Sequence, residues 1–121
     1  MPESGGRRVS EHETLLKYEA ILDNASVGIA FTHDRMFQHT NRAFEELFRW
    51  PSGGLEGQSG MVVWGTEAEY AEVGSVVGPL LSQGKGVELE RRMKRRDGEL
   101  VWCRLQAQPI DPVNPASGGT I

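Results

Sequence analysis

The order of hydrophobic patterns predicts an α+β domain: a leading amphipathic helix, two short strands, short helices, one longer helix, then a hairpin and a final strand. Three observations carry this. A helix-start spacing occurs twice, as Ser10 with Glu13 and Thr66 with Glu69, each ahead of an apolar stripe of helical period. Two alternating runs, VELERRMKR and LVWCRLQAQPI, flank Asp97 and Gly98. The 15 Gly and 6 Pro among 121 residues divide the chain into short elements and speak against a long-helix protein.

Residues 1–9 are small, polar and charged and are expected to be disordered. Residues 10–24 form the leading helix, with Leu15, Tyr18 and Leu22 on one face and Leu16 and Ile21 widening it. That face needs a partner, either the domain's own sheet or a second protomer. VGIAFT, residues 27–32, suits a strand covered on both faces, and MFQHT, residues 36–40, pairs with it across the turn HDR. Asn41 caps the next helix, whose apolar side is Phe44, Leu47 and Phe48; Trp50 and Pro51 end it. PSGGLEGQSG is a turn-rich connection with a helical turn near Leu55. From Thr66 a longer helix carries Tyr70, Val73, Val77 and Leu80 as far as Gly84, and Pro79 is expected to kink or break it. After the hairpin, DPVNPASG is a loop and GGTI starts a further strand.

Five cations stand in the six positions from Arg91 to Arg96. A two-residue turn at Asp97 and Gly98 would mix polar and apolar residues on both faces of the hairpin. A three-residue loop of Arg96, Asp97 and Gly98, with glycine in the left-handed position, sorts them. Val87, Leu89 and Met93 then share a face with Val101, Cys103, Leu105 and Ala107, while Glu90 faces Arg104 and Arg92 faces Trp102. Arg91 falls on the apolar face opposite Cys103, where it either snorkels to solvent or offers a guanidinium to an anionic ligand. The net charge of −4 argues against a nucleic-acid module, so the run reads as a solvated hairpin tip.

Cys103 is the single cysteine, which excludes an internal disulfide and a cysteine-built zinc site and fits a reducing cytoplasm. No run approaches 18 apolar residues and MPESGGRRVS lacks the apolar region of a signal peptide, so a cytoplasmic protein without membrane contact is expected. His33, Asp34 and His39 do not have a spacing that implies convergence on a metal. The chain contains no G-x-S-x-G, P-loop or G-x-G-x-x-G motif, and no catalytic residue is expected.

In this element order, LDNASVGIAFTHD, TNRAFEELFRW, LEGQS and RRDGELVWCRLQAQPID resemble the PAS sensory-domain family, in particular its bacterial S-box type, over about residues 14–121. The resemblance implies a five-stranded antiparallel sheet with helices packed on one face, a small-molecule cavity between them, and residues 25–121 as the domain. It also implies dimerisation through the N-terminal helix, here Leu15, Tyr18 and Leu22, and a signal passed to a C-terminal output domain. Such outputs include helix-turn-helix transcription regulators, histidine kinases and cyclic-dinucleotide enzymes. The ending departs from the family pattern: the chain stops at Ile121, before the rest of the fifth strand, and so resembles a sensor fragment of a longer protein.

Haem-binding relatives use a histidine on the long helix, and residues 67–83 contain none; flavin photoreceptors carry N-C-R-F where this chain has Gln58, Ser59 and Gly60. Both cofactors are therefore disfavoured, and an unidentified small molecule is the expected ligand. The expected pocket is Phe31, His39, Phe44, Trp64, Tyr70, Met93 and Cys103, with Arg91 as its polar member. The competing reading is a ligand-free structural module for dimerisation.

Overall fold

A computed structural model describes residues 2–121, with side chains from His12 onward. Helix α1 spans Pro2–Asn24. It therefore takes in residues 2–9, expected to be disordered, and the Ser10 and Glu13 spacing falls inside a helix rather than at its start. Proline is well suited to a first helical position, because the amide it lacks would be unpaired there. Strands β1 (Ala30–His33) and β2 (Met36–Thr40) form an antiparallel hairpin. β1 starts later than the expected 27–32 strand because the Ile29 amide is diverted from the ladder: it donates to the Asn41 side-chain Oδ1 at 2.8 Å. The turn is a two-residue one in which both Asp34 and Arg35 have positive φ, 50° and 62°.

Asn41 caps α2 (Arg42–Phe48), and its role is wider than a cap. Fully buried, its Oδ1 accepts from Phe44 N at 3.0 Å and Ile29 N at 2.8 Å, while Nδ2 donates to Leu22 O at 2.8 Å and Val27 O at 2.9 Å. One amide thus ties α1, the entry to β1 and the start of α2. Behind it, the buried Glu45 carboxylate accepts from Thr40 Oγ1 at 3.0 Å and Gly53 N at 2.8 Å, pinning the loop after α2. The connection forms turns around Leu55 and then a 3-10 helix at Gly60–Val63 that sequence patterns did not indicate. Helix α3 (Glu67–Ser82) starts at the Thr66 cap, where Oγ1 accepts from Glu69 N at 3.1 Å. It runs through Pro79 without a break, because Pro79 lies within a turn of the helix end and its missing bond leaves only the exposed Ser75 carbonyl to water. Gly84, at φ 78°, follows the last turn.

Strands β3 (Val87–Lys94) and β4 (Leu100–Ala107) pair in the register that the three-residue loop demands: Glu90 opposite Arg104, Arg91 opposite Cys103, Arg92 opposite Trp102. Gly98 has φ 92° and its amide bonds Arg95 O at 2.8 Å, closing the loop. The charge pairing differs in detail: Arg104 Nε reaches diagonally to Glu88 at 3.0 Å rather than to Glu90.

The basic run proves to be a fold device. Arg95 Nε donates to Leu47 O at 2.9 Å and Arg96 N to Phe48 O at 2.8 Å, so the hairpin tip satisfies carbonyls left open at the C-terminal end of α2. Arg49 pairs with Asp97 and Glu99, Arg95 pairs with Glu99, and the Arg96 guanidinium lies 5.1 Å from the Trp50 ring centre. The Glu99 amide and the Arg49 guanidinium hold the Asp97 carboxyl below its ordinary range.

The five-stranded sheet expected from the family resemblance is present as two hairpins and a seam. Four strands form two two-stranded sheets, and the short helix α4 (Pro115–Gly118) replaces part of the expected loop. Thr120 then bridges to Thr32 on one side and Pro109 on the other. Thr32 N bonds Thr120 O at 2.8 Å, Thr120 N bonds Thr32 O at 2.7 Å, and Gln108 and Ile121 exchange bonds of 2.9 and 3.0 Å. The lateral order is therefore β2, β1, residues 119–121, β4, β3. Gly119, at φ 78°, is needed here: a β-carbon on it would fall 2.2 Å from Thr32 O.

Candidate functional site: an apolar cavity under the sheet

The inner faces of the two hairpins, together with α2, the 3-10 helix and α3, enclose a cleft of about 1060 Å³. Phe37, Phe44, Val63, Trp64, Met93 and Leu105 supply much of its apolar wall. Two aromatic groups line it: Phe37 meets Phe44 edge-on at 5.6 Å and Phe44 meets Phe48 at 4.7 Å, while Trp64 lies 6.4 Å from Tyr70. Thr32, Tyr70, Cys103 and Thr120 add polar atoms. An apolar enclosure with a few polar groups suits a small organic molecule oriented by one or two hydrogen bonds.

Of the eight residues expected to form a pocket, Phe44, Trp64, Tyr70, Met93 and Cys103 line this cavity. Phe31, His39 and Arg91 are not part of its wall. Strand parity explains Phe31, and the register shift between Phe31 and Thr32 explains His39, which lies opposite Phe31 while Phe37 lies opposite Thr32. Ala30 and Thr32 face the cavity, so Phe31 between them turns to the opposite face, where it meets Tyr18 of α1 at 6.0 Å and His39 at 6.3 Å. Hydrophobicity does not alternate in IAFTH, so the apolar α1 face in need of a partner is the one sequence feature that bears on this contact. Phe37, buried and central to the wall, stands two positions before His39 yet on the other face because of the register shift, which no sequence pattern marks. Arg91 is exposed and donates to its own strand at Glu90 O, 3.0 Å away. Its long stem lets the charge stay in water, which avoids the cost of burying it without a partner.

His39 Nδ1 lies 3.7 Å from Glu56 Oε1, and its Nε2 is buried without a hydrogen-bond partner among the described residues. His33 instead approaches Asp34, at 3.5 Å. Among the described residues no group of three His, Cys, Asp or Glu side chains converges. Burial pushes the Cys103 thiol above its ordinary value, which lowers its thiolate fraction and nucleophilicity at neutral pH. No described helix is long and apolar enough to cross a membrane.

The α1 face divides between two environments. Leu22, expected on a dimer face, is 5% exposed and belongs to the domain's own packing, and Tyr18 leans on Phe31. Leu15 and Leu16 are each 53% exposed and Ile21 is 68% exposed.

Comparison with known proteins agrees with this architecture. The sensor protein TdiS of Thauera aromatica is 30% identical over 101 residues, covering 84% of this chain and 18% of that protein. This chain thus spans a small part of that relative's length. The PAS domain, in complex with ethanol, of a LuxR-family transcriptional regulator from Burkholderia thailandensis superposes with a TM-score of 0.76 at 26% identity, covering 85% of this chain and 91% of that one. The PAS domain of a Colwellia psychrerythraea protein gives 0.73 at 23% identity, covering 88% and 91%. The LOV protein of Rhodobacter sphaeroides gives 0.72 at 16% identity, covering 89% and 63%. The family described as PAS fold matches residues 16–112, and with the cavity-bearing architecture above, this chain belongs to that family of sensory domains.

Proposed function

We propose that this chain is the sensory module of a longer signalling protein, binding a small molecule in the cavity under the sheet and biasing an attached output domain between two states. The observation that carries this reading is the composition of the cavity wall. Thr120 and Ile121, which join the two hairpins, are part of the same wall as Phe44, Trp64 and Met93. A ligand that fits one arrangement of the seam better than another shifts the equilibrium by that difference in affinity, without any catalytic residue. The sensor role of TdiS and the ethanol held by the Burkholderia PAS domain support the reading. The output is a helix-turn-helix regulator, a histidine kinase or a cyclic-dinucleotide enzyme in the cytoplasm, and nucleic-acid contact falls to that output rather than to this domain.

The exposed Leu15, Leu16 and Ile21 favour a homodimer along α1, with Tyr18 and Leu22 serving the intramolecular contact. Native mass spectrometry of gently purified protein tests the ligand reading. A retained mass, lost when Met93→Trp fills the cavity, is expected; a bare chain that also binds no small alcohol or acid leaves the ligand-free dimerisation module instead. Sedimentation tests the dimer: association weakened by Ile21→Glu supports it, and a monomer at all concentrations removes it.

A further inference from the structure

We infer that the cavity takes an apolar molecule bearing one carboxylate, which pairs with the guanidinium of Arg35; this rests on the ligand reading above. Four charged residues contribute to the cavity wall: Asp34, Arg35, Glu88 and Arg104. Glu88 and Arg104 neutralise each other at 3.0 Å. The Asp34 side chain is 89% exposed and lies 3.5 Å from His33. Arg35 has no carboxylate partner among the described residues; its guanidinium lies on the ring of Tyr70 and donates to the Tyr70 backbone.

The guanidinium is held in place. Its central carbon lies 3.7 Å from the Tyr70 ring centre, and Nη2 donates to Tyr70 O at 3.2 Å. The backbone end is fixed too, since Arg35 O accepts from Gly60 N at 2.8 Å and Arg35 adopts φ 62° in the tight turn. On α3, Gly74 provides the floor: a β-carbon there would lie 2.6 to 2.9 Å from the guanidinium atoms. Arg35 therefore spans from the β1–β2 turn to α3 beside Tyr70, which also lines the cavity. A guanidinium has five N–H donors and only one is used, so a planar, two-oxygen acceptor can still be held bidentately. The remaining wall is apolar or uncharged, which sets the rest of the ligand: a hydrocarbon or aryl body with its acid group at the rim.

The order of the chain concealed this. Among ten arginines and three lysines, the basic run draws attention to residues 91–96, whereas the free cation at the cavity sits alone in HDRM.

The test compares matched acids and alcohols by calorimetric titration: hexanoate against 1-hexanol, and 3-phenylpropanoate against 3-phenylpropanol. The wild-type protein is expected to prefer each acid by about fivefold to tenfold at low salt, since the site is partly solvated and the ion pair is screened. Arg35→Gln is expected to bring that ratio to about one, and Arg35→Lys to a value between, because the fork is lost and the charge retained. Gly74→Ala, which displaces the guanidinium without removing it, is expected to lower the ratio as well. Equal binding of acid and alcohol by the wild type overturns the inference and leaves a ligand-binding sensor standing. A preference that survives in Arg35→Gln assigns the anion to another residue and overturns it too. Binding of neither member of either pair, by protein that also retains no ligand mass, overturns this inference and the ligand reading together.

Discussion

The two hairpins of this domain are built on different principles. β3–β4 pairs eight residues with eight in one uninterrupted register, most of its apolar residues gathered on one face, where Arg91 is the exception. β1–β2 pairs four with four, shifts register between Phe31 and Thr32, and turns through two residues of positive φ, neither of them glycine. Cross-strand parity and an Asp-Gly tip suffice to specify the first. The second depends on groups outside it: the Asn41 amide at its root, Gly60 and Tyr70 at its turn, and Thr120 along its edge. A hairpin that borrows its geometry in this way responds to whatever moves its supports, which is useful beside a ligand cavity.

Breaking the supports of β1–β2 should therefore cost more than changing single residues of β3–β4, whose register is set internally although its tip also bonds α2. The largest expected effect is Asn41→Ala, which strands the amides of Ile29 and Phe44 and two carbonyls; a loss of about 3 to 4 kcal/mol in urea unfolding is expected. Met93→Ala removes a buried β3 side chain of the core that also lines the cavity and should cost about 2 to 3 kcal/mol. Its outward-facing counterpart Trp102, 69% exposed, should lose under about 0.5 kcal/mol on truncation to Ala.

The turns sharpen the same contrast with smaller effects. Gly98→Ala forces a side chain into φ 92° and should destabilise by about 1 kcal/mol. Asp34→Gly relieves a non-glycine at φ 50° and should stabilise by about 0.5 kcal/mol in thermal unfolding, so that the less regular turn is improved by the residue that the regular one already has. The smallest expected effect concerns pH. The Asp97 carboxyl is held below its ordinary value of 3.8, first by the Glu99 amide and then by Arg49. Its folded-state pKa is thus depressed: the contribution is full above the ordinary carboxylate range and fades as pH falls below it. Asp97→Asn should flatten the acid limb of the stability curve slightly, with the small loss seen near neutrality and vanishing in acid.

The difference between the hairpins also explains what the sequence revealed. Local chemistry was legible where it acts alone: the caps Asn41 and Thr66, the end near Gly84 and the full register of β3–β4 all follow from nearby residues. So do five members of the cavity wall, because apolar residues on those elements have one interior to face. Legibility failed where a distant partner decides. Phe31 faces away from the cavity because Tyr18 of α1 covers it, and the 3-10 helix at Gly60–Val63 follows a loop pinned by Glu45 and the β1–β2 turn. Arg35 shows the same limit at the site: its significance lies in Tyr70 and Gly74, some 35 residues onward.

The seam at Thr120 has a kinetic consequence. Each hairpin joins neighbours in sequence, whereas Thr32 must find Thr120, 88 positions later. Closing a loop of that length carries an entropic cost that local turns do not, so the two hairpins are expected to form early and the junction between them late. By the same reasoning the junction is the place where the folded sheet parts first. Brief separations there would expose the amides of Thr32 and Gln108 to exchange while β3–β4 stays closed, giving the molecule a reversible opening that needs no unfolding of either half.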